Sequence, residues 1–541
     1  MASAVRPLFL HLYCKNPLKS LDVRDQFRHD SAIPVPGEQE AGTELRSKSM
    51  KVLLIYPEFP DTFWSYKHAL KFIHKRAALP PLGLLTIAAL LPRAWPKKLV
   101  DLNVDRLTEK DLAWADCAMV SAMVVQRKSA HDVIARCKRA GLKVIAGGLL
   151  FASEHDQFGE VDHFVLNEAE LTFPPFLEDL EKGCPKHLYE TSEFCDIRKT
   201  PSPMWELVNL KHYADMSIQF SRGCPFNCEF CNVTALFGHR PRTKTAEQII
   251  MELDGLYALG WRGPVFFVDD NFIGNKAYLK AHLLPALIQW QKGKGGIPFS
   301  TEASVNLADD QPLMEMMVKA GFDTVFVGIE TPSEESLTEC NKQQNKNRDL
   351  IESVKLIQRA GLQVQGGFIV GFDSDTPSIF QRQIDFIQKS GIVTAMVGLL
   401  NAPPGTRLYD RMKKEGRLIS LLSGDNVDGT TNILSKMGNT ALCDGYRSIM
   451  QHIYSPEPYY KRAMTFLREY KAPQITTPMD FHRLVGFFRS VVRLGILGRE
   501  RFQYWKILLW TFFRRPGLVP LAITLAIYGH HFRKICKFLA S

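Results

Sequence analysis

Three cysteines in the segment SRGCPFNCEFCNV have a spacing that could do chemistry: Cys224, Cys228 and Cys231. They form a C-x3-C-x2-C pattern directly after an apolar, strand-like run. Thiolates are soft ligands suited to iron–sulfur clusters. A four-iron cluster has four irons to ligate, and no fourth cysteine lies nearby. One iron is therefore left for a small molecule, by the logic that separates an open catalytic zinc site from a closed structural one. Zinc is the competing occupant; it would want a fourth Cys or His, and His239 is the nearest candidate. Carboxylates end the apolar runs that follow: Asp269 and Asp270 the next, Glu302 the one after, then Glu330. Each can accept hydrogen bonds from amino or hydroxyl donors.

These residues need elements to position them. The runs MSIQFSRG, PVFFVDDN, PFSTEASV, TVFVGIET, VQGGFIVGF and AMVGLLNAPPG, with helical patterns between, predict six strand–loop units over 216–417. Parallel closure gives a partial barrel with its chemistry on the loops after the strands. Upstream, KVLLIYP, KKLVDLNVD, DCAMVSAMV, LKVIAGGLL and VDHFVLNEAE predict a five-stranded parallel α/β sheet over 50–183. Such sheets bind ligands at the carboxyl ends of their strands, where Ser121, Gly147 and Gly148 fall. The chain thus divides into an N-terminal extension over 1–49, an α/β domain over 50–183, a linker over 184–215, a barrel over 216–417 and a mostly helical region over 418–541.

The cysteine segment, with Phe230 before its last cysteine, and the pieces FFVDDNF, GIETP and GGFIVGF together resemble the radical S-adenosylmethionine superfamily. The resemblance implies a [4Fe–4S] cluster on Cys224, Cys228 and Cys231, with the amino and carboxylate groups of S-adenosylmethionine on the open iron. It places Asp269 and Asp270 near the methionine amino group, and Glu302 and Glu330 near the ribose. The pieces LPPLGLLTIAALLP, VDLNVD, SAM, VIAGG and VDHFVLNEAE resemble the cobalamin-binding subclass, whose flavodoxin-like domain precedes the (β/α)6 barrel. Ser121, Gly147 and Gly148 match positions bordering the cobalamin nucleotide tail, where small residues admit a bulky group. The D-x-H-x-x-G motif that supplies a lower axial histidine in many cobalamin proteins is absent, so the lower ligand is unassigned. These cofactors imply a C-methyltransferase: a 5′-deoxyadenosyl radical takes hydrogen from an unactivated carbon, and methylcobalamin supplies the methyl group. An electron donor such as flavodoxin or ferredoxin is implied as well. NAPPGTRLYDRM, GYRSIMQHIYSPEPYYKRAMTFLREY and LAITLAIYGHHFRK resemble the branch that includes the bacterial hopanoid C-2 methylase, which implies a membrane-lipid substrate. A tetrapyrrole-type cyclase or oxidase shares the architecture and is the alternative enzyme. A methylthiotransferase would carry a second cysteine set, whereas Cys117, Cys137 and Cys195 are widely spaced. The non-enzyme reading is a cobalamin-sensing module.

Composition bounds the rest. Of 541 residues, 45% are apolar and 23% charged, as in globular proteins. The net charge of +10 is local: from Arg483 to Ser541 there are eleven Lys and Arg and one acid, Glu500. Such a tail suits an anionic partner, and with no RNA module recognisable, a membrane surface is expected over nucleic acid. Its apolar runs, Lys506–Phe513 and Leu518–Gly529, are each too short to span a bilayer. With Trp505, Trp510 and Tyr528 they suit the inner face of the cytoplasmic membrane. Eleven cysteines without a regular framework fit a reducing cytoplasm. The apolar stretch Leu8–Tyr13 is too short for a signal peptide.

Overall fold

Short runs that are apolar on both faces alternate with amphipathic helices, and the chain folds into two parallel sheets whose strand ends face each other. The computed structural model describes residues 49–472 and 481–538; residues 1–48 of the N-terminal extension lie outside the described residues. The first sheet contains β1 (Val52–Tyr56), β2 (Lys97–Asp101), β3 (Cys117–Ser121), β4 (Lys143–Gly147), β5 (His163–Val165) and β6 (Leu188–Tyr189). Its order is β2-β1-β3-β4-β5-β6, parallel throughout. Val52 to Ile55 are wholly buried, which is why β1 reads as a continuous apolar run. The order reverses between β1 and β3, so the loops after them diverge and open a crevice. The strand β6 lies in the segment expected to be a linker; two residues are too few to show a period.

The barrel strands are β7 (Met216–Ile218), β10 (Val265–Phe267), β11 (Phe299–Ala303), β12 (Phe322–Glu330), β13 (Gln363–Val370) and β14 (Ala395–Leu399). They pair in parallel in the order β14-β13-β12-β11-β10-β7, and β14 does not pair with β7, so the barrel is partial, as expected. Between β7 and β10 lies an unexpected antiparallel ladder, β8 (Ser221–Arg222) with β9 (Arg242–Thr243). Phe267, Phe272, Phe299 and Phe322 pack ring against ring beneath the strands. The open edge at β14 is covered by the Asn439–Tyr454 helix. The Tyr454 hydroxyl donates to the Ala395 carbonyl (2.7 Å) and accepts from its N–H (3.1 Å), satisfying edge groups that would otherwise invite another strand.

The remaining C-terminal helices are Pro456–Glu469, Phe481–Ser490 with its π-helical continuation Val491–Ile496, Arg501–Arg514 and Val519–Phe538. The last is a core element. Ala522, Leu525, Ala526 and Phe532 are at most 1% exposed, and Phe532 stacks on Phe63 at 4.2 Å. The buried His531 ring lies 2.9 Å from the Phe63 carbonyl. This corrects the expectation for Leu518–Gly529: its apolar face packs on the protein and is unavailable to a membrane.

Four charged residues join the two sheets. The Arg242 guanidinium donates to both Glu168 oxygens (2.9 and 2.5 Å), and Arg222 pairs with Glu170 (2.8 Å) and Glu168 (3.6 Å). Glu168 and Glu170 follow β5; Arg222 and Arg242 sit on β8 and β9, beside the cysteine loop. Burial alone would raise both carboxyls, but the guanidinium hydrogen bonds outweigh it: Glu170 is held at about 2 and Glu168 below its ordinary range. Removing one partner strands a buried charge, so Arg242→Met should cost about 3 kcal/mol at pH 7, read by urea denaturation. Because the carboxyl values are depressed, this stabilisation is present above pH 4.5 and is lost as pH falls toward 2. The gap between parent and variant should therefore narrow over that window, and a constant gap would refute the assignment.

Candidate active site

The cysteine loop begins where β8 meets Gly223. That residue has φ +93°, and a Cβ there would lie 2.9 Å from the carbonyl oxygens of Phe237 and Gly238, so a side chain cannot be seated. The Cys224 N–H donates to the Gly238 carbonyl (3.3 Å) and the Cys231 N–H to the Cys228 carbonyl (3.3 Å). Later segments hold the loop from outside. Asn341 Nδ2 (2.8 Å) and Arg407 Nη2 (2.5 Å) donate to the Asn227 carbonyl, and Arg411 makes two contacts with the Glu229 carboxylate (2.8 and 3.0 Å). Here the NAPPGTRLYDRM segment finds a physical role.

The sulfurs are surrounded by donors. Asn271 Nδ2 lies 3.9 Å from Cys224 Sγ, and Gln344 Nε2 lies 3.7 Å from Cys228 Sγ. Backbone N–H groups of Phe226 and Val233 point at Cys224 and Cys231. The Lys342 ammonium, on a side chain 12% exposed, acts on Cys228 and Cys231 and pairs with Glu330 at 2.6 Å. Burial pushes the Cys231 thiol up to about 12 and raises Cys224 as well. Metal binding at these thiols therefore displaces protons, and the N–H donors and the ammonium favour the thiolate that results. Among the described residues no three Cys, His, Asp or Glu side chains gather around one ion, and His239 is exposed. A cubane instead offers separate irons to separate sulfurs. Three soft, hydrogen-bonded thiols without a fourth ligand thus fit a [4Fe–4S] cluster better than zinc.

The four predicted carboxylates separate into different tasks. Asp269, 1% exposed, accepts from the Phe220 N–H (3.2 Å) and from both the N–H and the hydroxyl of Ser221. It anchors the strand end that carries the loop. Asp270 accepts from the Gly223 N–H at the root of the loop. Glu302 faces the cavity described below. Burial first, then repulsion from Asp270 and Asp269, raises Glu302 to about 8; burial likewise raises Asp269 to about 7 and Asp270 to about 6. A cation is the natural complement to this trio. Glu330 sits apart, at φ 64°, where the β12–β13 ladder shifts register. That left-handed backbone is costly for a non-glycine residue, and its carboxylate is committed to Lys342.

A cavity of about 2020 Å³ separates the two sheets. Ser121, Gly147 and Gly148 line one wall, with Glu302, Phe326 and Met396 opposite and Ile523 and Ile527 of the last helix closing one end. The structure thus brings Ser121, Gly147, Gly148 and Glu302 to one space; Asp269, Asp270 and Glu330 do not line it. At Gly148, φ +91°, a Cβ would lie 2.5 Å from Ser121 Oγ, and at Gly147 it would lie 2.6 Å from the Val165 carbonyl. Packing within the chain thus requires glycine at both positions, and their backbone lines the cavity. The volume exceeds the usual small-molecule range of about 300–1,000 Å³, leaving room for more than one occupant. No histidine is among the described residues lining it, in keeping with the missing D-x-H-x-x-G motif. Lys342, Asn271 and Gln344 were not anticipated. Asn271 follows Asp270 in the run already singled out, and Lys342 and Gln344 belong to the polar NKQQN run beyond β12, a loop where barrel chemistry is expected.

Comparison with known proteins agrees with this geometry. Residues 218–387 match the profile of the Radical SAM superfamily, and residues 406–541 match a domain of unknown function, DUF4070. An uncharacterized methyltransferase of Synechocystis is 40% identical over 89% of this chain and 91% of its own length. The hopanoid C-2 methylase of Rhodopseudomonas palustris is 34% identical over 89% and 93%. Among solved structures, the cobalamin-dependent radical enzyme OxsB shares the fold, with TM-score 0.59 and 14% identity over 91% of this chain and 80% of that one. The chain belongs to the radical S-adenosylmethionine methyltransferases. Within them it falls with the relatives that include hopanoid C-2 methylase.

Two predictions test the site. Lys342→Met removes a positive charge beside two thiolates and should lower the cluster's midpoint potential in an EPR-monitored titration. Glu330→Gln in the same chain removes the unpaired carboxylate, so it should recover stability and part of the potential. An unchanged potential would remove Lys342 from the site. In metal-free protein, the ionised form of Glu302 is penalised, so stability falls as pH rises from 4.5 through about 8. Glu302→Gln should melt with the parent at pH 5 and above it at pH 8.5; coincident melting at both would show that the carboxyl is not held high.

Proposed function

We propose that this chain is a cobalamin-dependent radical C-methyltransferase acting on an unactivated carbon of a membrane lipid, C-2 of a hopanoid. The observation carrying this reading is the large cavity, lined by Gly147 and Gly148 at the first sheet, acidic at Glu302 and apolar toward the C-terminal helices. The resemblance to hopanoid C-2 methylase along nearly the whole chain supports the choice of substrate.

When bound, the cluster supplies reductive cleavage of S-adenosylmethionine with an electron from a flavodoxin- or ferredoxin-type donor, and cobalamin supplies the transferable methyl group. The protein's part is positioning. Cys224, Cys228 and Cys231 hold the cluster, while Asn271 and Gln344 orient their sulfurs. Glu302 balances a cationic ligand or accepts a hydroxyl, giving up its proton as it does so. Gly147 and Gly148 let the cobalamin tail lie against the backbone. Trp64, Phe326 and Met396 form a wall where the Trp64 Nε1–H donates to Met396 Sδ (3.2 Å), so the indole donor is satisfied. That wall, with Ile523 and Ile527, seats a saturated polycycle and keeps water away.

Mass spectrometry of membrane lipids should show a hopanoid one methyl heavier in the parent strain and absent when the gene is deleted. The wild-type gene should restore it and Cys228→Ala should not, with iron content of the purified variant falling in parallel. An unchanged lipid profile on deletion would overturn the substrate and direct the search to tetrapyrroles.

A further inference from the structure

We propose that the outer face of the Phe481–Ile496 and Arg501–Arg514 segments docks on an anionic lipid leaflet, with the apolar end of the cavity opening beside that face. The docking stands on surface chemistry alone; its use for drawing substrate from the leaflet rests on the lipid reading above.

Among the described residues, nineteen large apolar side chains are exposed, and ten of them lie between Leu484 and Phe513. They form stripes. Leu484, Phe488, Val492 and Ile496 recur every four residues along the first helix and its π-helical continuation. Phe502, Trp505, Leu509 and Phe512 follow on the second, with Phe513 beside them. Phe502 and Phe513 are each 75% exposed. A contiguous apolar patch of this kind marks an interaction surface.

Charge identifies the partner. Arg493, Arg499, Arg501, Lys506 and Arg514 are exposed around the stripes. The only acid from Arg483 onward, Glu500, is 7% exposed and paired with Arg533 at 2.7 Å, so among the described residues of this segment no exposed carboxylate offsets them. A second copy of this chain would bring the same positive charge to the same place. A phosphate-bearing leaflet offers negative charge around a hydrocarbon interior, which this face complements. The Arg501–Arg514 helix, at about 1.5 Å per residue, is far shorter than the ~30 Å hydrocarbon core, so it lies in the surface plane. No helix among the described residues is long and apolar enough to cross a membrane.

The face also meets the cavity. Leu484 is 42% exposed and lines the cavity, with Gly486 and Phe487 from the same helix. Pro520 is likewise exposed and cavity-lining, at the start of the last helix.

The test is vesicle flotation of the full-chain, cluster-loaded protein, using hopanoid-free vesicles of phosphatidylcholine alone or mixed with phosphatidylglycerol. The protein should float with the anionic vesicles, less so at high salt, and poorly with phosphatidylcholine. F512E/F513E should lower the floated fraction at least about tenfold, and R499E/R501E should weaken it while retaining iron content and S-adenosylmethionine cleavage. Failure of the parent to float, or undiminished flotation of F512E/F513E, would overturn the proposal. So would a parent that sediments as a dimer and becomes monomeric in F512E/F513E, since a second copy would then cover the face. Turnover of a detergent-dispersed hopanoid separates the two readings. Turnover without flotation sinks the docking alone; flotation without turnover sinks the substrate and leaves the docking standing.

Discussion

The pairing of Arg222 and Arg242 with Glu168 and Glu170 is the constraint on which the site depends. Two parallel sheets each present their reactive edge at the carboxyl ends of their strands, and nothing in either sheet requires those edges to face each other. The four charges help to fix that, together with the apolar core that Phe63, Phe72 and Leu85 share with the barrel. The four charged side chains are at most 19% exposed, so they carry a desolvation cost that mutual contact offsets. The arginines flank the cysteine loop and the glutamates follow β5, so the interaction that joins the domains also brings the cluster loop to the cavity's edge. A hydrophobic interface could have supplied equal stability with less angular definition.

Within that frame the adjacent carboxylates behave differently because their surroundings do. Asp269 turns inward to Ser221 and becomes a strut; Asp270 caps the loop root; Glu302 is left facing open space with its proton retained. The same separation holds for the thiols: burial raises Cys224 and Cys231, yet N–H donors suited to the thiolate surround them. The site is thus arranged for positive charge among the carboxylates and negative charge at the sulfurs.

Much of this was legible because it is local in the chain. The cysteine spacing lies within one loop, and most barrel strands carry a short, largely buried apolar stretch such as Val265–Phe267 or Ala395–Leu399. What was not legible depends on long-range packing or very short elements. Gln344 and Cys228 are 116 positions apart, and only the fold makes them neighbours. The strands β6, β8 and β9 have two residues each. Asp269 and Asp270 are indistinguishable as letters, and Glu330 ends its strand as expected but is claimed by a lysine twelve residues on. The C-terminal apolar runs show what hydropathy leaves out. The second run carries small residues at Ala522, Ala526 and Gly529, where a Cβ on Gly529 would come within 2.4 Å of the Tyr459 ring. That spacing marks a helix meant for close packing, whereas the bulky Phe502, Leu509 and Phe512 are left 75%, 49% and 58% exposed.

The grip of Arg407 and Arg411 on the cysteine loop also sets an order in time. Their partners Asn227 and Glu229 precede them by 180 and 182 residues. On a ribosome the thiols emerge while the residues that brace their loop are still unmade. Throughout that interval the loop lacks these outer supports, and synthesis of Arg407 and Arg411 supplies them. A chain truncated before Arg407 would therefore keep its ligands and lose the bracing of the loop that carries them.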